Sequence, residues 1–363
     1  MKTPIPDRFL VSAGIAFFLI HSMQIGIGIL GYQRDIAMAA GYDAWISILI
    51  SGISIHIILW MMYSMLNKEN GDLISIHQRV FGKWIGGFLS TIAAFYFFFL
   101  GVTVLRSYIE VLQVWMFPEI NVPFVLGAFL LLIYYTISGG FRVVAGVAFF
   151  GVIIPSFLIV FLFYPVPFGE LDYLRPIMNH SVTDLLKSTK AATLSFLGIE
   201  VILILYPFLK NKEKSQKWAQ LGVLFSTFIY TSTAIVTFMY FSQTQLEHTV
   251  WATLSMFKII EFPFVERFEY IAIATWALVV FPNICTSLWC ASRAIKRTYN
   301  FQQRWVLIFF LLTSYIANLI FKDREIINVF ISSISKSGFY MLYVYTPLLF
   351  ILYHLKIRRR HKK

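Results

Sequence analysis

Apolar runs of about twenty residues recur along the whole chain with short polar stretches between them, and that pattern restricts the fold more than any other feature. A hydrocarbon core about 30 Å thick takes roughly 20 helical residues to cross at 1.5 Å each. Runs of this kind lie at 9–30, 44–66, 84–104, 122–137 and 143–164, then at 191–209, 218–241, 270–291, 305–320 and 338–355. The fourth and ninth are short, and Pro347 interrupts the tenth. Of the 363 residues only 13% are charged, too few to clothe a soluble protein of this length. An all-α integral membrane protein with ten transmembrane helices is expected.

The net charge of +12 does not point to nucleic acid, because the basic residues gather between the apolar runs. With the N-terminus inside, 20 of the 30 Lys and Arg fall on the inner side, including the cluster at 210–214 and the tail at 358–363. Both termini are therefore expected in the cytoplasm. No small-residue cleavage site follows the first run, so it is expected to stay as a helix. Cys285 and Cys290 share one apolar run and carry no compartment signal.

Two polar stretches are amphipathic. After Asp72, a helix cap by type, Leu73, Ile76 and Val80 share a face, which predicts a short helix over 72–82 on the inner surface. Trp251, Leu254, Phe257 and residues 260–264 form an apolar outer loop ended by Pro263. It suits either a cap over an outward-facing cavity or a helix resting in the interface.

Ten spans divide into five and five, and an odd number inverts the second set relative to the first. The chain is expected to form one membrane domain, with repeats at about 9–164 and 191–355 and a basic tail at 356–363. Transporters built this way place their site at discontinuous helices in corresponding positions of the two halves, here spans one and six. Span one carries Gln24-Ile25-Gly26-Ile27-Gly28-Ile29-Leu30, and span six carries Ser195-Phe196-Leu197-Gly198-Ile199-Glu200. Gly26 and Gly198 are 172 residues apart, close to half the chain. Glycine weakens a helix and lets a ligand approach bare backbone, and a break frees N–H groups for a carboxylate and carbonyls for an ammonium. Either glycine alone is better read as permitting close helix packing; the matched pair points to a site.

Glu200 lies mid-span, where an ionised carboxylate costs at least a few kcal/mol, so it marks function or a hydrogen-bonded helix contact. His21 and His56 are candidate partners for it and, with it, candidates for gating or proton-linked roles, although His56 alone reads better as a satisfied interior histidine. In span eight Pro282 should bend the helix, and Thr286 and Ser287 could offer hydroxyl oxygens or simply bond to their own backbone. In span three Tyr96 and Leu100, four apart, are taken to face inward. No phosphate loop, His-Glu-x-x-His, Cys/His cluster or nucleophile elbow is present, which points away from an enzyme, a metal centre or a cofactor. The Asn-His-Ser sequon at 179–181 is uninformative.

Over essentially its whole length the chain resembles the B subunits of the nutrient germinant receptors of spore-forming Firmicutes. The resemblance is carried by Gln-Ile-Gly-Ile-Gly-Ile-Leu at 24–30, Gly-Asp-Leu-Ile-Ser-Ile-His-Gln-Arg-Val-Phe-Gly-Lys at 71–83, and Ser-Phe-Leu-Gly-Ile-Glu-Val at 195–201. Phe-Pro-Phe-Val-Glu-Arg-Phe-Glu-Tyr at 262–270, followed by Trp276, is the most specific stretch. That family is similar to the amino acid–polyamine–organocation transporters, which share the LeuT-type five-plus-five inverted repeat with broken helices 1 and 6.

The resemblance implies a sensor in the spore inner membrane that binds a small nutrient, often an amino acid. It implies work with an A subunit and a C lipoprotein subunit, in the lipid bilayer and without nucleic acid. It further implies a pocket between spans one, three, six and eight. There Gly26, Ile27 and Gly28 would present backbone to a carboxylate, and Phe196, Leu197 and Gly198 would present carbonyls to an amine. Tyr96, Leu100, Thr286 and Cys290 would shape the side-chain pocket. Span five lacks the lysine of some proton-coupled relatives, which counts against coupled transport. Sodium held by Thr286 and Ser287 keeps a secondary amino-acid transporter as the alternative, and a scaffold or channel element without a ligand site is the third.

Overall fold

In hydrocarbon every backbone N–H and C=O must find a partner within the chain, which leaves helices as the form such apolar runs can take. The computed structural model describes residues 5–263, 265–320 and 324–361. Its helices begin with α1 (Ile15–Gln24), α2 (Tyr32–Ala40), α3 (Ala44–Glu69), α4 (Leu73–Trp115), α5 (Val122–Ser138), α6 (Phe141–Ile153), α7 (Phe157–Phe161) and α8 (Val182–Leu194). They continue with α9 (Ile202–Leu205), α10 (Lys212–Tyr240), α11 (Gln243–His248), α12 (Ala252–Phe257), α13 (Phe268–Tyr299), α14 (Gln303–Ile320), α15 (Arg324–Tyr340) and α16 (Thr346–His361).

Among the described residues, seven helical stretches are long and apolar enough to cross a membrane. They number eight when Val182–Leu194 and Ile199–Phe208, bent by 51°, are taken as one. The first and fourth apolar runs become helices of only 10 and 17 residues, α1 and α5. Large apolar side chains such as Leu131, Phe150, Val160 and Leu312 are exposed on the outside, as lipid contact requires. Inside, α13 packs along α4, and α1 lies against α10 and α6. Buried Ser226 and Thr233 on α10, and Ser47 and Ser51 where α3 meets α8, are small enough to let neighbouring helices come close.

Several boundaries depart from the apolar pattern for identifiable reasons. The stretch 72–82 is helical but does not lie on the surface: Leu73, Ile76 and His77 are fully buried. At Gly82, with φ 81°, the chain turns straight into the spanning part of α4, a backbone conformation that glycine adopts at no steric cost. Asp72 starts this helix by accepting from the Ser75 N–H at 3.0 Å, and it also accepts from Arg297 Nε at 2.8 Å. Burial opposes its charge, yet Arg297 and Ser75 outweigh burial and hold its carboxyl below the usual range.

Pro282 stays inside α13. The Leu278 carbonyl, whose helical partner it removes, abuts Gly151, where a Cβ would come within 2.6 Å of that oxygen. The tenth run starts earlier than expected, at Arg324. A π-helical turn at Met341–Tyr345 accommodates Pro347 at the start of α16. Phe264, the last residue of the outer apolar loop, and Lys362 and Lys363 of the basic tail lie outside the described residues.

Candidate functional site

Helix α1 stops at Gln24 because Ile25 turns to φ −89°, ψ 101°, and helical geometry resumes only in the short turn Gly28–Leu30. The gap is held open from three sides. The Gln24 carbonyl accepts from Tyr230 Oη at 2.7 Å, the Gly26 carbonyl accepts from Trp276 Nε1 at 3.1 Å, and Gly26 itself packs against the Asn283 amide. Among the described residues, the N–H groups of Gly26, Ile27 and Gly28 make no backbone hydrogen bond.

The second break follows α8. Gly198 takes φ +109°, and a Cβ there would meet the Met23 carbonyl at 2.9 Å, so the two interrupted segments touch through a position only glycine fills. They are also bonded directly, Gln24 Nε2 donating to the Phe196 carbonyl at 3.4 Å. Glu200 folds back on its own break: Oε2 accepts the Gly198 N–H at 2.9 Å, and Oε1 accepts the Tyr96 hydroxyl. The carboxylate thus satisfies a backbone donor that the break orphans.

Between the breaks lies a cavity of about 480 Å³. Its floor is Gly26, Ile27 and Gly28, facing Ser195, Leu197 and Tyr230; Leu100 and Thr103 of α4 form one wall. Arg34, Asp35 and Glu110 line it, and Trp251 of the loop after α11 joins them, which favours the capping role for that loop. Residues Asn328, Ile331 and Ser335 of α15 complete the lining. Two side-chain acceptors on the wall, Gln24 Oε1 and Asn283 Oδ1, are buried without a hydrogen-bond partner among the described residues.

The structure thus gathers Gly26, Ile27, Gly28, Leu100 and Leu197 at the cavity. Phe196, Gly198 and Tyr96 stand behind it: Phe196 packs on the Tyr230 ring, 5.2 Å between centroids, and Tyr96 holds Glu200. Thr286, Ser287 and Cys290 are fully buried beyond Asn283 on α13 and are not part of the lining. The Thr286 and Ser287 hydroxyls have no partner among the described residues, and Ser287 Cβ lies against Gly101 of α4.

Neither histidine pairs with Glu200, a correction to the expected partnership. His21 Nδ1 meets Ser226 Oγ at 2.9 Å with its ring between Phe17 and Phe225, and His56 bonds Gln220. Both rings are directed at α10, whereas Glu200 turns toward α4. Gln24, Tyr230, Asn283 and the α15 wall are site features beyond those expected from the sequence. Gln24 and Asn283 carried a signal, each being a polar amide inside an apolar run, one two residues before Gly26 and the other directly after Pro282. Tyr230 and α15 carried none.

A family model described as "Spore germination protein" matches residues 10–327. The chain is 45% identical over 356 residues to spore germination protein GerQB of Bacillus cereus, covering 98% of this chain and 99% of that one. It is 26% identical over 316 residues to spore germination protein B2 of Bacillus subtilis (strain 168), covering 84% and 85%. In three dimensions it is similar to a Na+-coupled sialic acid symporter in its substrate-bound outward-open state, with TM-score 0.69 and 13% identity over 98% of this chain and 82% of that one. It is also similar to MhsT in complex with L-phenylalanine, with TM-score 0.65 and 13% identity over 93% and 88%.

Proposed function

The chain belongs to the spore germination protein family, as a B-type membrane subunit with a transporter-like fold, and from that premise we propose that it is the ligand-sensing subunit of a nutrient germinant receptor. The cavity between the two breaks carries the proposal. Its floor offers unbonded backbone N–H groups that suit a carboxylate, and Gln24 Oε1 and Asn283 Oδ1 suit an ammonium. That donor set matches a free amino acid.

In this reading the short helices α1 and α5 complete ten spans in two inverted sets of five, with both termini in the cytoplasm and the membrane that of the spore interior. Nutrient binding favours one arrangement of the broken helices over another, through a difference in affinity between the two. An A subunit and a C lipoprotein subunit convert that shift into germination.

The test is a germination dose–response panel of single nutrients in spores carrying the wild-type chain, Gly26→Ala or Glu200→Gln, with protein abundance measured in each. A raised half-maximal concentration for one nutrient at normal abundance supports the sensor pocket. Unchanged responses at normal abundance overturn it. The second reading, a secondary amino-acid transporter, draws on the unpartnered Thr286 and Ser287 hydroxyls as sodium oxygens. Labelled-nutrient flux into vesicles holding this chain alone would establish it.

A further inference from the structure

We propose that the outward face of α15, together with α8, docks a membrane-spanning helix of a partner subunit that carries a carboxylate in its outer half. The inference rests on the functional reading above only in taking this chain as one subunit of a complex.

Helix α15 has two unlike faces. Asn328, Ile331 and Ser335 line the cavity, and Gly338 is pressed so close to the Leu197 side chain and the Tyr96 hydroxyl that a Cβ would lie within 3 Å of both. Gly338 therefore sits at the depth of the broken helices. The opposite face exposes Val329, Ser333, Lys336, Ser337 and Tyr340. Lys336 is two residues from Gly338, about 3 Å along the axis. It is thus an exposed cation close to the level of the break instead of a loop residue in water.

A second cation joins it. Lys190 of α8 is exposed, and its ammonium lies 5.4 Å from the centre of the Phe339 ring. Lys336 and Phe339 are three apart and share a helical face. Lys190 thus lies over the Phe339 ring, and Lys336 precedes that ring by about one helical turn on the same seam between α8 and α15. Among the described residues neither makes an ion pair, whereas Lys187 on the same helix pairs with Asp184.

Charges turned outward at this depth are costly, and membrane proteins cover them. Ser333 and Ser337 bond to their own backbone at 2.7 and 2.8 Å, so the ammonium groups are what await a partner. Among the described residues a second copy of this chain does not supply one. Its exposed carboxylates, such as Glu119, Asp172, Glu247 and Glu261, sit in loops or at helix ends, and Asp35 and Glu110 line the cavity. Because α15 meets the cavity on one side and this seam on the other, a partner seated there would register ligand binding directly.

The test uses the assembled receptor in spore membranes. A photo-crosslinking residue at Ser337 should join this chain to an apolar segment of another subunit containing Asp or Glu. Crosslinking to lipid alone, or to a second copy, would overturn the proposal. Lys336→Leu should insert and accumulate normally, since leucine suits lipid better. It should lower co-isolation of that subunit by about tenfold or more, and Lys336→Glu further, with recovery when the crosslinked carboxylate is exchanged for Lys. Normal co-isolation in Lys336→Leu refutes the docking face. If nutrient responses still shift in Gly26→Ala, the sensor reading survives that result.

Discussion

Gly28→Ala separates ligand contact from folding better than any other change in the broken helices. A Cβ built on Gly28 lies 3.8 Å from Tyr230 Oη and 3.9 Å from Ser195 Oγ, ordinary contact distances, so the methyl displaces nothing in the protein. Gly28 has no left-handed backbone angle that would make alanine strained. The methyl does enter the floor of the cavity, where the proposed ligand carboxylate must reach the N–H groups of 26–28. Losing one hydrogen bond to an ionised group costs about 1.5–3 kcal/mol. At 1.4 kcal/mol per tenfold, the half-maximal nutrient concentration should rise about 10- to 150-fold. The assay is loss of optical density in spore suspensions across a nutrient titration, with chain abundance followed by immunoblot. Abundance within a factor of about two of wild type is expected, because the site has room. A normal dose–response at normal abundance would refute backbone recognition at the first break. A collapse in abundance would refute the claim that the methyl fits.

Other changes should act on folding instead. Gly198→Ala should lower the melting temperature and the amount of chain in the membrane: φ +109° strains any side chain, and the Met23 carbonyl at 2.9 Å adds a clash, together at least about 2 kcal/mol. Tyr96→Phe takes the side-chain donor from the buried Glu200 carboxyl and leaves the Gly198 N–H, at about 1–3 kcal/mol. A thermal double-mutant cycle with Glu200→Gln should be clearly less than additive, and additivity would refute the pairing. Asp72→Asn removes a charged helix cap and the Arg297 pair, and should cost about 1–3 kcal/mol at neutral pH. Because the folded carboxyl is held below its ordinary 3.8, that stability is present above the ordinary value and is lost as pH falls through the folded one. The melting-temperature gap to wild type should therefore close in acid, and a gap that widens there would contradict the assignment.

Much of this was legible beforehand where a single residue type carries the physics. Gly198 is a break because the left-handed angle admits little else, and Asp72 is a cap because its carboxylate reaches the N–H three residues on. The stretch between the apolar runs 305–320 and 338–355 is too polar to count as part of a span, yet residues 324–337 are helical within α15. Propensity does not penalise serine or lysine enough to end a helix that neighbours support. Glu200 stands out in the sequence as a mid-span carboxylate, but its neighbours do not. A mid-span carboxylate announces that it needs partners without saying on which helix they lie.

The division follows from range. Apolar runs of membrane length, the positions of the basic clusters and the matched glycines are local or periodic properties, and they determined a helical membrane chain interrupted at Gly26 and Gly198. Which side chains meet across those interruptions depends on how helices far apart in sequence rotate against one another, and only the tertiary structure decided it. It sent His21 and His56 to α10, gave Tyr96 to Glu200, turned Gln24 and Asn283 into the cavity and set α15 as a wall. A helix in an apolar protein surrounded by lipid has no strong hydrophobic contrast to reveal its inward face, so its rotation is settled by small residues and polar partners on its neighbours.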